Sequence, residues 1–106
     1  MDETSGRYCE SFHHAVELLG RRWNGVIIRA LLSGTDRFNG IRAAVPGLSD
    51  RMLSERLQQL ECEGLLMRVC GDPAAAPRYV LTEKGQNLRP VIEAIYTWAA
   101  TPVNHD

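Results

Sequence analysis

Arginine, serine, glutamate and glutamine side chains recur along residues 49–64 at spacings that place them on one face of a helix. At about 100° per residue, the face opposite the apolar stripe of Leu53, Leu57 and Leu60 carries four hydrogen-bonding side chains: Arg51, Ser54, Glu55 and Gln58. Groups of this kind bond base edges and phosphates, and a recognition helix contacts DNA mainly through its N-terminal residues. The alternative is a solvated face on an ordinary packed helix.

Local signals define both ends of this helix. Pro46-Gly47 is a turn pair. Ser49 suits an N-cap, because its hydroxyl accepts from a free backbone N–H of the first turn. Gly64 suits a left-handed position after the last turn. A short helix over roughly residues 40–45, capped by Asn39, precedes the turn. We therefore expect a helix-turn-helix.

The periodicity changes after Gly64. Residues 65–70 and 78–81 are predicted to be strands, and the loop at 71–77 is too rich in glycine and proline for regular structure. A hairpin directly after a helix-turn-helix is a wing. Arg68 and Arg78 flank its loop and are expected to meet backbone phosphates, while the wing tip carries no basic residue.

Amphipathic helices are expected on both sides of this region. Apolar residues repeat at helical spacing over about residues 10–19 and again over 23–31. Thr82 can cap a last helix, kinked at Pro90. Arg37-Phe38 is a candidate for a very short strand. The predicted fold class is mainly α with a small β-hairpin wing: a winged helix-turn-helix between two terminal helices.

The length predicts one domain over residues 1–106, whereas the net charge alone argues against binding to nucleic acid and only the distribution of charge softens this argument. The net charge is −1, but residues 20–82 hold nine arginines against six acids. Arginine is the better residue for bidentate contacts to phosphate or guanine. No apolar run is long enough to cross a membrane, and the acidic N-terminus does not resemble a secretion signal. We expect a cytoplasmic protein with reduced cysteines.

Several segments together resemble the HxlR-type family of bacterial winged-helix regulators, which are relatives of the MarR group. The matching segments cover about residues 9–98 in the expected order: Cys9, Leu19-Gly20-Arg21-Arg22-Trp23, Arg37-Phe38, Pro46-Gly47-Leu48-Ser49-Asp50-Arg51-Met52-Leu53, Leu60-Glu61-Cys62-Glu63-Gly64-Leu65, Tyr79-Val80-Leu81-Thr82-Glu83-Lys84-Gly85, Leu88-Arg89-Pro90-Val91 and Trp98. Each segment alone is a weak signal.

The resemblance implies a homodimeric, sequence-specific transcription regulator, a repressor or an activator, bound to an imperfect palindrome of double-stranded DNA. It places the helix-turn-helix and wing at residues 36–82, and the dimerisation helices at 9–20 and 83–101. Carried over by position, the DNA-facing residues are Arg37, Asn39, Ser49, Arg51, Met52, Ser54 and Arg56. The residues expected at the dimer interface are Phe12, Val16, Leu88, Val91, Ile92, Ile95 and Trp98.

Cys9 is the cysteine best placed for thiol chemistry. It lies near the N-terminus of the first helix, where the helix dipole lowers the pKa of a thiol. The functional hypothesis is that Cys9 senses oxidants or electrophiles, as in some members of the resembled family, although the family's usual proline after this cysteine is Glu10 here. The alternative is a partly exposed cysteine without a function. His13 shares its helix face, and His14, Cys70 or His105 could complete a metal site. The spacing does not demand one, so we predict no metal and no cofactor.

Two other functions are alternatives. A small-molecule effector could bind a pocket lined by Phe12, Trp23, Tyr96 and Trp98, although such spacing is more typical of core. A winged helix that binds protein is favoured by Asp50, Glu55 and a pI near 6.3. An enzyme is not expected, because no phosphate loop, catalytic triad or paired-carboxylate motif is present.

Overall fold

A computed structural model describes residues 9–103 of the chain. Within that range the chain forms six helices and one two-stranded antiparallel sheet. The elements are α1 (Glu10–Gly20), α2 (Asn24–Leu32), α3 (Phe38–Ala44), α4 (Asp50–Cys62), β1 (Leu66–Val69), β2 (Arg78–Leu81), α5 (Glu83–Gln86) and α6 (Arg89–Ala99). None of these helices is long and apolar enough to span a bilayer.

The core forms around α2, which contacts α1, α3, α6 and β2. Ile27 and Ile28 of this helix are fully buried. The apolar stripe of α4 packs into the same cluster, as do single residues from each neighbouring element: Ile41, Val45, Leu48, Leu65, Leu66, Leu81 and Ile92. This one core fixes the orientation of α4 and leaves its opposite face in solvent.

The helix-turn-helix forms as predicted. Gly47 takes a positive φ of 88° in the turn between α3 and α4, a backbone conformation that glycine adopts without strain. The Ser49 hydroxyl accepts from the Met52 backbone N–H at 3.1 Å, which confirms the predicted N-cap. Gly64 follows α4 with a φ of 78°, as expected of a residue that ends a helix.

The wing is the predicted hairpin, with Leu66 opposite Leu81 and Val69 opposite Arg78. Its base is joined to the chain before α3. Arg37 forms a single β-bridge with Arg78, and the Tyr79 N–H donates to the Asp36 carbonyl at 2.8 Å. The very short strand expected at 37–38 is therefore one bridged residue.

Two local predictions were wrong. Arg37, rather than Asn39, is the N-cap position of α3, and Asn39 lies inside that helix. The last helix is two helices, α5 and α6, separated by Asn87 and Leu88. Thr82 caps α5 as expected. Pro90 lies in the first turn of α6, where a helix needs no N–H from it, so the proline begins a helix instead of kinking one.

The first helix is weakly attached to the rest of the protomer. None of residues 10–20, all of which are described, is fully buried, and only Leu18 and Leu19 pack against the core. His14 Nε2 lies 2.9 Å from Oε1 of Glu63, the C-cap residue of α4. Trp23 joins α1 to α2 in the left-handed region, with a φ of 79°.

Candidate nucleic-acid interface

The outer face of α4 is fully open to solvent. Arg51 has 89% of its side-chain surface accessible, and Ser54, Glu55 and Gln58 are also exposed. Leu53, Leu57 and Leu60 are buried on the opposite side. The helical phase predicted from the sequence is confirmed, so the face that the sequence assigned to DNA is free to receive it.

Arg56 lies on the other side of the same helix. It is only 9% exposed, and its Nε donates to the Arg22 carbonyl at 3.1 Å. This buried position contradicts the expectation that Arg56 contacts DNA. The sequence alone indicates the inward position, because Arg56 follows Leu53 by three residues and its side chain therefore points only about 60° away from that of Leu53. This hydrogen bond attaches α4 to the short segment between α1 and α2.

Two further predicted contacts are already engaged within the protein. The Ser49 hydroxyl is the helix cap, although the side chain remains exposed. Met52 is half-buried against the core. Ser49 is the N-cap of α4 and Met52 lies in its first turn, so their contacts fix the end of the helix that carries Arg51.

A cleft separates the exposed face of α4 from the wing. It encloses about 240 Å³ and is lined by Ser54, Gln58, Arg68 and Tyr79, among others. Arg68 on β1 is exposed. The structure thus brings the predicted helix residues and the predicted wing arginine to one surface. A phosphate chain that crosses this cleft would meet side chains from both elements.

The other two predicted arginines are held at the base of the wing. Arg37 Nη1 donates to the Ala76 carbonyl in the wing loop at 2.6 Å. Arg78 Nε donates to Asp36 Oδ2 at 3.0 Å. Arg37 and Arg78 are exposed, as is Asn39, but the arginines also fix the wing against the start of α3.

Carboxylates are interleaved with the arginines of this surface. Arg51 Nε pairs with Glu55 Oε2 at 3.3 Å along α4, a spacing of four residues that the sequence could have predicted. Arg42 Nε pairs with Asp50 Oδ1 at 2.9 Å between α3 and α4. Sequence reasoning missed Arg42 and Asp36, because their partners lie on other elements and no local spacing indicates them.

Cys9 occupies the N-cap position of α1 and is half-exposed. Its sulfur lies 3.4 Å from the Ser11 hydroxyl. This hydroxyl and then the Phe12 backbone N–H lower the pKa of the Cys9 thiol, because hydrogen bonds donated to sulfur stabilise the thiolate. The thiolate is the nucleophilic form, so these contacts favour reaction with electrophiles.

Cys9 also lines a large open cavity. The cavity measures about 830 Å³, and apolar side chains from α1, the start of the wing and the α5–α6 junction line it: Ala15, Leu18, Leu19, Leu65 and Leu88. Lys84 and His14 lie at its edge. A planar apolar reagent could therefore reach the sulfur. Within residues 9–103 no group of three His, Cys, Asp or Glu side chains could hold a metal, and His105 lies outside the described residues.

The terminal helices expose a band of apolar side chains. Trp98 is 78% exposed, and Phe12, Val16, Val91 and Ile95 are also exposed. Two predicted interface residues differ. Ile92 is only 7% exposed and belongs to the core, and Leu88 packs against it. Ile92 lies on α6, which contacts α2, so this side chain belongs to the core of the protomer.

Comparisons with known proteins agree with this arrangement. Residues 18–106 match the model of the HxlR-like helix-turn-helix family. The chain is 45% identical over 92 residues to the uncharacterized HTH-type transcriptional regulator YvaP of Bacillus subtilis, a match that covers 86% of this chain and 85% of YvaP.

Two solved structures of another B. subtilis regulator, YodB, are similar. The reduced form superposes with a TM-score of 0.79 at 38% identity, over 92% of this chain and 99% of YodB. The quinone-bound form gives a TM-score of 0.74 at 40% identity, over 86% of this chain and 97% of that one. The winged-helix architecture is thus shared with transcriptional regulators.

Proposed function

The chain belongs to the HxlR-like helix-turn-helix family of transcriptional regulators, and we propose that it acts as a homodimer that binds a specific DNA sequence. The observation that carries the proposal is the exposed polar face of α4, which lies beside Arg68 of the wing. In a two-fold dimer, two such helices enter successive major grooves about 34–36 Å apart. The operator is then an imperfect palindrome of double-stranded DNA.

The apolar band on the terminal helices supports the dimer. Phe12 and Val16 on α1, and Ile95 and Trp98 on α6, leave large apolar surfaces in water within one protomer. A helix of 11 residues without a buried side chain is marginal by itself. A second copy of the chain covers these side chains and stabilises α1.

Cys9 supports a response to oxidants or electrophiles. Its thiol has a lowered pKa and opens onto the apolar cavity. The related regulator YodB has been solved in a reduced and a quinone-bound form. We propose that an electron-poor carbon of a quinone-like reagent adds to the Cys9 thiolate, and that the quinone oxygen takes up a proton from water.

The contact between His14 and Glu63 connects this event with the recognition helix. Both groups lie at the edge of the Cys9 cavity, and the contact joins α1 to the end of α4. A shift of α1 caused by a covalent adduct would therefore change the position of α4. A winged helix that binds protein is the weaker alternative, because Arg51 of α4 and Arg68 of the wing are both exposed and arginine suits bidentate contacts to phosphate or guanine.

The deciding experiment is a titration of the purified protein with DNA from upstream of its own and neighbouring genes. It is run over a salt series, with the protein reduced and then treated with a quinone. We expect tight binding that weakens steeply with salt, is lost on treatment, and is kept by Cys9→Ser.

The possible outcomes separate the parts of the proposal. Tight binding that is indifferent to quinone in the wild-type protein would contradict sensing through Cys9 and direct attention to a non-covalent effector. Absence of sequence-specific binding under every condition would contradict the DNA-binding function itself.

A further inference from the structure

Two exposed carboxylates of α4 pair with arginines: Glu55 lies on the outer face, and Asp50 is the first residue of the helix. Glu55 pairs with Arg51 on the same helix, and Asp50 pairs with Arg42 of α3. The four side chains are half or more exposed to solvent. Acidic groups directly on a DNA-binding face need an explanation, because each repels the phosphates that surround it.

Exposed ion pairs of this kind are easily exchanged. An exposed pair stabilises a protein by only about 0–1 kcal/mol, so a phosphate can displace the carboxylate from the guanidinium. The displaced carboxylate then faces the DNA without a partner. A contact with phosphate alone therefore replaces one anion by another and adds repulsion.

A matching base changes this balance. In the major groove the N4 amino group of cytosine donates hydrogen bonds, and Asp and Glu side chains accept them. A carboxylate released from its arginine next to such a base regains a partner. Next to any other base it stays unpaired and repelled by the DNA.

We propose that Asp50 and Glu55 are specificity-determining residues, which suppress binding to random DNA by holding Arg42 and Arg51 until a sequence offers the released carboxylates a donor. The inference rests on the proposed DNA-binding function.

Asp36 provides an internal contrast. It pairs with Arg78 at the base of the wing at 3.0 Å, so it too holds an arginine. It lies before α3 and not on the recognition helix. Its removal should free a phosphate contact without affecting the reading of bases.

The test compares Asp50→Asn and Glu55→Gln with Asp36→Asn. Glu93→Gln removes the same charge from α6 and serves as the control. Each variant is titrated with sonicated mixed-sequence duplex DNA and with the duplex that the wild-type protein enriches from a random library. Urea unfolding of each variant checks the fold, and Glu55→Gln carries the test if Asp50→Asn weakens α4.

We expect Asp50→Asn and Glu55→Gln each to tighten binding to mixed-sequence DNA by roughly two- to fivefold. The salt slope should steepen by about 0.9 for each added phosphate contact. Affinity for the selected duplex should rise less or fall, so the specificity ratio drops. Asp36→Asn should tighten both equally, and Glu93→Gln should change neither.

Equal gains on both DNAs for the α4 variants, or no gain on mixed-sequence DNA, would overturn the inference while leaving DNA binding intact. A wild-type protein that enriches no duplex from the library would instead refute the proposed function, and this inference with it.

Discussion

The surface proposed to face DNA and the surface of the terminal helices differ in whether their side chains already have partners within the protomer. On the first, Arg51 is held by Glu55 and Arg37 by the Ala76 carbonyl. On the surface of the terminal helices, Ile95 and Trp98 are exposed to solvent. Paired polar groups are stable in contact with water and can exchange partners. Burial of exposed apolar groups against another surface lowers the free energy. The contrast indicates one surface for reversible contacts and another for lasting association.

The largest test of this contrast is Ile95→Asp. Ile95 is 48% exposed in the protomer, so covering it contributes about half of the roughly 1.5–3 kcal/mol of a fully buried isoleucine, and an aspartate there adds the cost of burying a charge. Two-fold symmetry counts both effects twice, so the dimer should weaken by at least about 3 kcal/mol. Light scattering should then report the monomer mass at micromolar concentration. Met67→Asp changes an apolar side chain of similar exposure on the wing and should keep the dimer mass. Dimers in both variants would remove α6 from the interface.

Arg51→Ala tests the opposite surface. Loss of a base or phosphate contact should weaken DNA binding by about 1–3 kcal/mol per recognition helix without affecting the dimer. Fluorescence anisotropy with a labelled operator measures the change. Arg21→Ala removes an arginine at the end of α1 and should bind normally. Unchanged affinity of the Arg51 variant would mean that α4 does not read DNA with this end.

Ser49→Ala tests how much the N-cap of α4 contributes to the stability of the protein. The hydroxyl caps the first turn of α4, so the free energy of unfolding should fall by about 1 kcal/mol. Urea denaturation at fixed protein concentration measures it, because the stability of a dimer depends on concentration. Ser49→Asp keeps a capping oxygen and should unfold like the wild type. Equal stability of the alanine variant would show that the cap contributes nothing.

The smallest expected effect is at Cys9. Ser11→Ala removes the hydrogen bond that lowers the pKa of this thiol most, so the pKa should rise and less thiolate should be present at neutral pH. The rate of alkylation by iodoacetamide should therefore fall, and its pH midpoint should move upward. Ser11→Thr retains a hydroxyl and should react at the original rate. A pH profile unchanged by the alanine variant would assign the lowered pKa to the backbone alone.

Local signals were enough for the helix-turn-helix. Ser49, Gly64 and the leucine stripe act within a few residues of one another, so the limits and the phase of α4 follow from them. A tertiary contact decided the position of Ile92, which is buried because α6 packs against α2. Arg56 faces inward as the helical phase of α4 alone indicates, and the Arg22 carbonyl accepts from it there. The family resemblance placed both residues in the correct helix but not on the correct face.

The hydrogen bond between His14 and Glu63 joins α1 to the C-terminal end of α4. DNA is proposed to meet the opposite end of this helix, near Arg51. Thirteen residues separate the two ends by about 20 Å, since a helix rises about 1.5 Å per residue. A tilt of only about 3° around Glu63 would therefore displace the reading end by about 1 Å. That is enough to misalign hydrogen bonds to bases, so a small movement of α1 could release the operator without any unfolding of the domain.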